Sequence, residues 1–134
     1  MTLPEHLPAA PDMLPAHVID NHTHLGSTTE YSGLGVSDSL DAAGLVGVTG
    51  VVDVGCDVPS SRAAAQLAAI DSRVRAAVAI HPNDAARLFQ RDGLAALDAE
   101  LAELPALAAL PGVVTVGETS LDYEIGRASC RERV

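Results

Sequence analysis

The chain has 134 residues, of which 48% are hydrophobic and only three are aromatic, so its core must be built from Ala, Val, Leu and Ile. The formal charge is −10 and every basic residue other than histidine is arginine, which argues against binding nucleic acid by charge alone. The chain has only two cysteines, which excludes a disulfide framework and a cysteine-based zinc site. It has no apolar run near the roughly 20 residues that cross a bilayer, which excludes a transmembrane helix. We therefore expect a soluble, cytoplasmic protein with no membrane contact and no obligate protein partner.

Apolar periodicity and turn residues predict an alternation of strands and helices along the chain. Residues 1–16 are rich in proline and predict a flexible lead-in. The elements predicted after it are, in order, a strand at 17–21, a loop rich in Gly, Ser and Thr at 26–37, a helix capped by Ser37 or Asp38 that ends near Gly47, a strand at 50–55, a helix capped by Asp57, Ser60 or Ser61 that runs to Ile70, a strand at 74–80, a helix at 93–104 bounded by Pro105, and a strand at 113–116.

This alternation predicts an α/β fold with a parallel sheet and helices outside it. Two architectures share the repeating unit: part of a (β/α)8 TIM barrel, with about four strands and three to four helices, or a small doubly wound sheet. The placement of the polar residues favours the barrel. They follow the carboxyl end of each predicted strand, which is the end where parallel barrels carry their active sites.

The first predicted strand ends in Asp20, His22 and His24. Alternate residues of an extended strand share a face, so these three side chains are predicted to point the same way. Two imidazoles on one face can bind a divalent metal such as Zn²⁺ or Mn²⁺. Asp20 is then placed to hydrogen-bond a ligand imidazole from behind or to approach the metal itself.

Three further polar residues lie on the predicted rim, at His81, Glu118 and Asp122. Glu118 follows the fourth strand and is predicted to be the carboxylate ligand, able to bridge two ions, and a catalytic group. His81 has two interpretations: it contacts substrate phosphate in the pocket, or its ring bonds a neighbouring carbonyl while Pro82 starts a helix. Asp122 is predicted to support the site from outside the ligand shell, by orienting a histidine or neutralising a buried partner, or to cap the next helix.

Four motifs together resemble the TatD deoxyribonuclease family. They are DNHTH at 20–24, VDVGCD at 52–57, AIHP at 79–82 and VGETSLDY at 116–123, and the resemblance covers residues 17–124. It implies the amidohydrolase-like TIM barrel, two divalent metal ions (Mg, Mn or Zn), and hydrolysis of DNA phosphodiester bonds at a 3′ end or in a single strand. His22 and His24 match ligands of one ion, Glu118 matches a carboxylate that serves both, and His81 matches a pocket histidine outside the metal shell.

The resemblance also implies parts that we do not find in the sequence. Family members continue through four more strands, which supply two further histidines and a late aspartate, whereas the last histidine here is His81. The final residues, 125–134, match one reading frame of a sequencing-library adapter, and we interpret them as a non-native tail. We therefore expect residues 17–124 to be the N-terminal half of the hydrolase domain and to be inactive alone.

Two alternatives to a deoxyribonuclease stay open from the sequence. A related metal hydrolase that acts on amide or ester bonds would share the paired histidines, although such enzymes usually need a bridging lysine and this chain contains none. A non-catalytic α/β interaction module could keep the same scaffold without its metal site.

Overall fold

The computed structural model describes residues 9–119, which form four strands and six helices. In chain order they are β1 (Val18–Thr23), α1 (Leu25–Ser32), α2 (Val36–Leu45), β2 (Val48–Val54), α3 (Val58–Ile70), β3 (Val74–Val78), α4 (Pro82–Asp92), α5 (Leu94–Leu101), α6 (Leu104–Ala108) and β4 (Val113–Val116). None of the helices in this range is long and apolar enough to cross a membrane.

The strands form one parallel sheet in the order β1-β2-β3-β4, so each strand pairs with its neighbours in sequence. This confirms the predicted α/β class, and all four strands lie close to where the sequence predicts them. A sheet whose strand order follows the chain, with helical connections between strands, is the arrangement found in (β/α) barrels.

The core lies mainly between the sheet and α3, in two apolar clusters. Alanines of α3, including Ala64 and Ala68, pack against Val74 and Ala76 of β3. These small side chains let the helix lie close to the sheet. In the second cluster, Val58, Val78 and Ile80 pack on Leu107 of α6.

A hydrogen-bonded junction ties α3 to the end of β3. The hydroxyl of Ser61, which is fully buried, accepts a hydrogen bond from the Ala79 N–H at 2.9 Å and donates one to the Ala79 carbonyl at 3.0 Å. Gly55 packs directly on Ser61, and a Cβ at this glycine would overlap the Ser61 side chain and backbone. The segment that leads to His81 is therefore fixed against the beginning of α3.

The helices differ from the predictions in three places. The predicted loop at 26–37 is wrong in its first part, which forms α1. The predicted helix at 93–104 is shorter, because α5 ends at Leu101, and Pro105 lies in the first turn of the separate helix α6 instead of bounding the earlier one. Helix α4 was expected only in the interpretation of His81 in which Pro82 starts a helix, and its extent was not predicted. The described chain thus has six helices where three to four were expected.

Apolar side chains stay exposed on the two outer strands of the sheet. Ile19 of β1 is 66% exposed, and Val114 and Val116 of β4 are 56% and 54% exposed. Within residues 9–119, β1 pairs only with β2, and β4 only with β3. Within these residues β1 and β4 are therefore the open edges of a sheet that is not closed into a barrel.

Candidate metal centre

The candidate ligands come from the two outer strands of the sheet. His22 lies near the end of β1, His24 immediately follows that strand, and Glu118 lies two residues beyond the end of β4. His81 precedes α4, after the end of β3. The carboxyl ends of all four parallel strands meet on one side of the sheet, so residues far apart in sequence converge there.

His22, His24 and Glu118 converge as the sequence predicts. One potential ligand atom from each lies within 4.8 Å of the others. The Nε2 atom of His22 is 2.9 Å from Oε2 of Glu118, and the Nε2 atom of His24 is 3.9 Å from the same oxygen. Their side chains are 33% to 49% exposed. A small ion can therefore reach the cluster from solvent.

The ring of His24 is oriented as a metal-ligating histidine requires. Its Nδ1 lies 2.8 Å from the carbonyl oxygen of Val54. Because a carbonyl can only accept, Nδ1 of the neutral ring carries the hydrogen and Nε2 keeps its lone pair. That lone pair faces the cluster, and a hydrogen bond from the other ring nitrogen to a backbone carbonyl is the usual support of a histidine ligand. Two imidazole nitrogens and a carboxylate oxygen thus fit a divalent transition metal.

The two carboxylate oxygens of Glu118 have different neighbours. Oε2 faces the pair of histidines from β1, whereas Oε1 lies 3.1 Å from Nε2 of His81. The Nδ1 atom of His81 accepts a hydrogen bond from the backbone N–H of Asn83 at 3.1 Å. His81 therefore contacts the acid and begins α4 at the same time. As one interpretation expected, Pro82 starts a helix, but the ring bonds an N–H instead of a carbonyl.

The pairing of β1 with β2 is irregular just beyond Asp20. Asp20 pairs with Val51, and the next pair is Thr23 with Asp53. The strand β1 therefore advances by three residues where β2 advances by two, so β1 carries one extra residue there. Such a bulge breaks the two-residue period. The carboxylate of Asp20 accepts a hydrogen bond from the backbone N–H of His22 at 3.0 Å. It thus supports His22 through the backbone, where the sequence suggested the imidazole ring or the metal. Asp122 lies outside the described residues.

Asp53 is a residue beside the site to which the sequence analysis gave no role. Its side chain is buried, and its carboxylate accepts a hydrogen bond from the Leu25 N–H at 2.8 Å. Burial raises the pKa of this carboxyl, while the bond from Leu25 and the charge of His24 act in the opposite direction. Asp53 thus caps α1 from a neighbouring strand directly after His24. The sequence signal for a role of Asp53 was its position as a carboxylate within an apolar strand.

Cys56 also lies beside His24, with its Sγ 3.8 Å from Nδ1 of that ring. Burial, followed by the negative charge of Glu118, raises the pKa of the Cys56 thiol. A thiol must lose its proton to bind a metal strongly. The raised pKa favours the neutral thiol in the metal-free site, and the ligand atoms that converge in the described residues are those of His22, His24 and Glu118.

An open cavity of about 560 Å³ borders the histidine pair. Its walls are formed by the end of β1 and by α1, and its lining residues are His22, Thr23, His24, Ser27, Thr28, Tyr31 and Ser32. The exposed aromatic ring and the hydroxyl groups give this cavity a mixed apolar and polar wall.

The family described as TatD related DNase matches residues 19–134. The chain belongs to this family. It is also 41% identical over 111 residues to a Mycobacterium tuberculosis (strain ATCC 25618 / H37Rv) protein named "Uncharacterized metal-dependent hydrolase TatD". That match covers 82% of this chain and 39% of the relative. The family confirms the predicted resemblance, and together with the sheet order it confirms a partial TIM barrel.

Proposed function

We propose that the protein is a metal-dependent hydrolase that cleaves phosphodiester bonds of DNA, and that this chain supplies the part of the site formed by β1 and β4. The convergence of His22, His24 and Glu118 carries the proposal. Family membership supports hydrolase chemistry, and the relative's name supports its dependence on a metal. The chain spans 39% of that relative's length, so the proposal concerns the whole protein.

In this proposal the site takes two divalent ions, which are Mg²⁺, Mn²⁺ or Zn²⁺. His22 and His24 hold one ion through Nε2, and Glu118 contributes a carboxylate to both. Bound divalent ions polarise a phosphoryl group and lower the pKa of bound water towards neutrality. The chain's own contribution is to fix the three ligand groups: the Val54 carbonyl orients His24, Asp20 holds the backbone of His22, and the ring of His81 contacts Glu118.

The substrate in this proposal is a DNA 3′ end or single strand. A formal charge of −10 does not favour binding of a duplex by charge alone. Contact with one or two terminal phosphates through bound cations does not require a broad basic surface. The cavity beside the histidines has room for a terminal nucleotide, and Tyr31 offers an exposed ring on which a base can stack.

The test compares substrates in the natural protein at its full length. Hydrolysis of 3′-labelled single-stranded DNA is measured with added Mg²⁺, Mn²⁺ or Zn²⁺ and again with EDTA, beside a cyclic amide and a simple carboxylic ester. The variant Glu118→Gln removes the negative ligand with little change in shape. Asp98→Asn on the exposed face of α5 is the matched control, because it also removes one negative charge.

We expect metal-dependent release of nucleotides from DNA and no turnover of the amide. Glu118→Gln should lower kcat/KM by at least about 100-fold, or about 2.7 kcal/mol of transition-state stabilisation, whereas Asp98→Asn should leave it unchanged. Turnover of the amide or ester without DNA cleavage would replace the nuclease proposal by the related hydrolase. DNA cleavage that resists both EDTA and Glu118→Gln would reject the proposed metal site.

A further inference from the structure

His81 holds the carboxylate of Glu118 through one ring nitrogen while the other ring nitrogen begins a helix. The Nδ1 atom accepts a hydrogen bond from the backbone N–H of Asn83 at 3.1 Å, so this nitrogen carries a lone pair in the neutral ring. The hydrogen of the neutral ring must then be on Nε2, which lies 3.1 Å from Oε1 of Glu118. The cap of α4 thereby determines which nitrogen donates to the acid.

The backbone around His81 is fixed independently of this ring. Its N–H donates to the Cys56 carbonyl at 2.7 Å, and its side chain is only 18% exposed. Two residues earlier, Ala79 is bonded on both its N–H and its carbonyl by the buried Ser61 hydroxyl. The ring can therefore transmit the position of β3 and α4 to an acid that follows a different strand.

We propose that His81 is a positioning residue, whose Nε2–H donates to Oε1 of Glu118 and leaves Oε2 facing His22 and His24 for a metal ion. The proposal rests on the metal site of the proposed function. It assigns His81 a role through Glu118, in place of the substrate contact suggested by the sequence. A carboxylate ligand held by an outer hydrogen bond has less freedom to lose when it binds an ion, and loss of such a partner typically lowers metal affinity by about 10- to 100-fold.

Two substitutions separate the two contacts of the ring. His81→Asn places an amide oxygen near the position of Nδ1, so it keeps a good acceptor for the first turn of α4 but cannot reach Glu118. His81→Gln places an amide nitrogen near the position of Nε2, so it keeps a donor for Glu118 and loses the cap. A purely structural role through the cap predicts that Asn is the milder change. The positioning role predicts that Gln is the milder change for metal binding.

Calorimetric titration of Zn²⁺ or Mn²⁺ into the metal-free natural protein at its full length measures the effect. We expect His81→Asn to weaken the binding by about 10-fold or more, and His81→Gln to stay within about threefold of the unsubstituted protein. Thermal unfolding of each variant records any loss of the cap separately. Equal affinity in the unsubstituted protein and His81→Asn would overturn the positioning role, whereas absence of metal binding in the unsubstituted protein would reject the proposed function itself.

Nitrogen-15 NMR of the histidine rings gives a second measurement, made on the unsubstituted protein, in which His81→Gln serves only to assign the resonances of His81. The resonances that disappear in His81→Gln belong to the ring of His81. In the metal-free unsubstituted protein they should show a hydrogen on Nε2 and none on Nδ1. A ring with its hydrogen on Nδ1, or on both nitrogens, would contradict the proposal.

Discussion

Two glycine-to-alanine substitutions should change stability in opposite directions. Gly55 follows β2, and a Cβ there would overlap the side chain and backbone of Ser61 in the first turn of α3. Gly44 lies inside α2, and a Cβ there would have no atom within 4 Å apart from its chain neighbours and the backbone of its own helix. Neither glycine has a positive φ, so the local surroundings decide the outcome, together with the preference of helices for alanine.

The sizes of the two effects follow from these surroundings. At Gly55 the neighbouring atoms include the backbone of the buried Ser61, which cannot turn away as a flexible side chain can. We therefore expect the upper part of the overpacking range, about 2–3 kcal/mol of destabilisation. Displacement of Ser61 also weakens its two hydrogen bonds to Ala79. At Gly44 the removal of glycine's conformational freedom from a helix should stabilise the protein by about 0.5–1 kcal/mol.

Urea unfolding of the natural protein at its full length, followed by far-ultraviolet circular dichroism, measures both changes. We expect the midpoint to fall for Gly55→Ala and to rise for Gly44→Ala, with the dependence of the unfolding free energy on urea unchanged. A Gly55→Ala protein within about 0.5 kcal/mol of the unsubstituted protein would refute the described contact between β2 and α3.

Two further predictions concern buried and charged hydrogen bonds. Ser61→Ala should lower the free energy of unfolding by about 1–3 kcal/mol, because it leaves the N–H and carbonyl of Ala79 without their buried partner. The control Ser72→Ala, at an exposed turn, should change the free energy of unfolding by less than about 0.5 kcal/mol. Urea unfolding of both variants measures the difference, and equal effects would contradict the prediction. Side-chain and backbone hydrogen bonds from Arg73 hold the pKa of Asp71 below its ordinary value. A depressed folded-state pKa stabilises the fold above the unfolded-state value of about 3.9 and loses that contribution as the pH falls through the folded-state pKa. The difference in unfolding free energy between the unsubstituted protein and Asp71→Asn should therefore be constant above about pH 5 and shrink below about pH 4; a difference that grows on acidification would reject the assignment.

The strands and the convergence of the ligands were predictable because their causes lie in local sequence. Runs of β-branched residues such as those of β2 and β4 mark strands, and the carboxyl ends of parallel strands share one rim. These two facts bring His22 and His24 near Glu118 without any knowledge of coordinates. The cap of α3 was equally local, since Asp57 and Ser60 supply both halves of it within four residues.

Helix α1 was missed because its stabilisation comes from elsewhere in the fold. Its sequence contains Gly26 and several Ser and Thr residues, which have poor helix propensity. Asp53 caps its first N–H from β2, and Leu25 is buried in the core. Neither contact can be recognised from the local sequence.

The full extent of helix α4, of which only a start at Pro82 was considered, could have been predicted, because its signals are local. Pro82 occupies its first turn with Asp84, Arg91 occupies its last turn, and Gly93 follows it. The bulge at Asp20 could not have been found, since an extra residue in one strand is defined only by its pairing with the other. The sequence therefore predicted which residues meet, but it did not predict the hydrogen bond from the His22 N–H to Asp20 or the contact of His81 with Glu118.

The central claim is that His22, His24 and Glu118 hold a divalent cation together. A crystal of the natural protein at its full length, grown with Zn²⁺ or Mn²⁺, allows anomalous scattering at the absorption edge of the metal to locate the ion directly. The account predicts a peak about 2.0–2.2 Å from Nε2 of both histidines and from a carboxylate oxygen of Glu118. A peak bound only by other groups, or no peak beside a visibly ordered cluster, would contradict it.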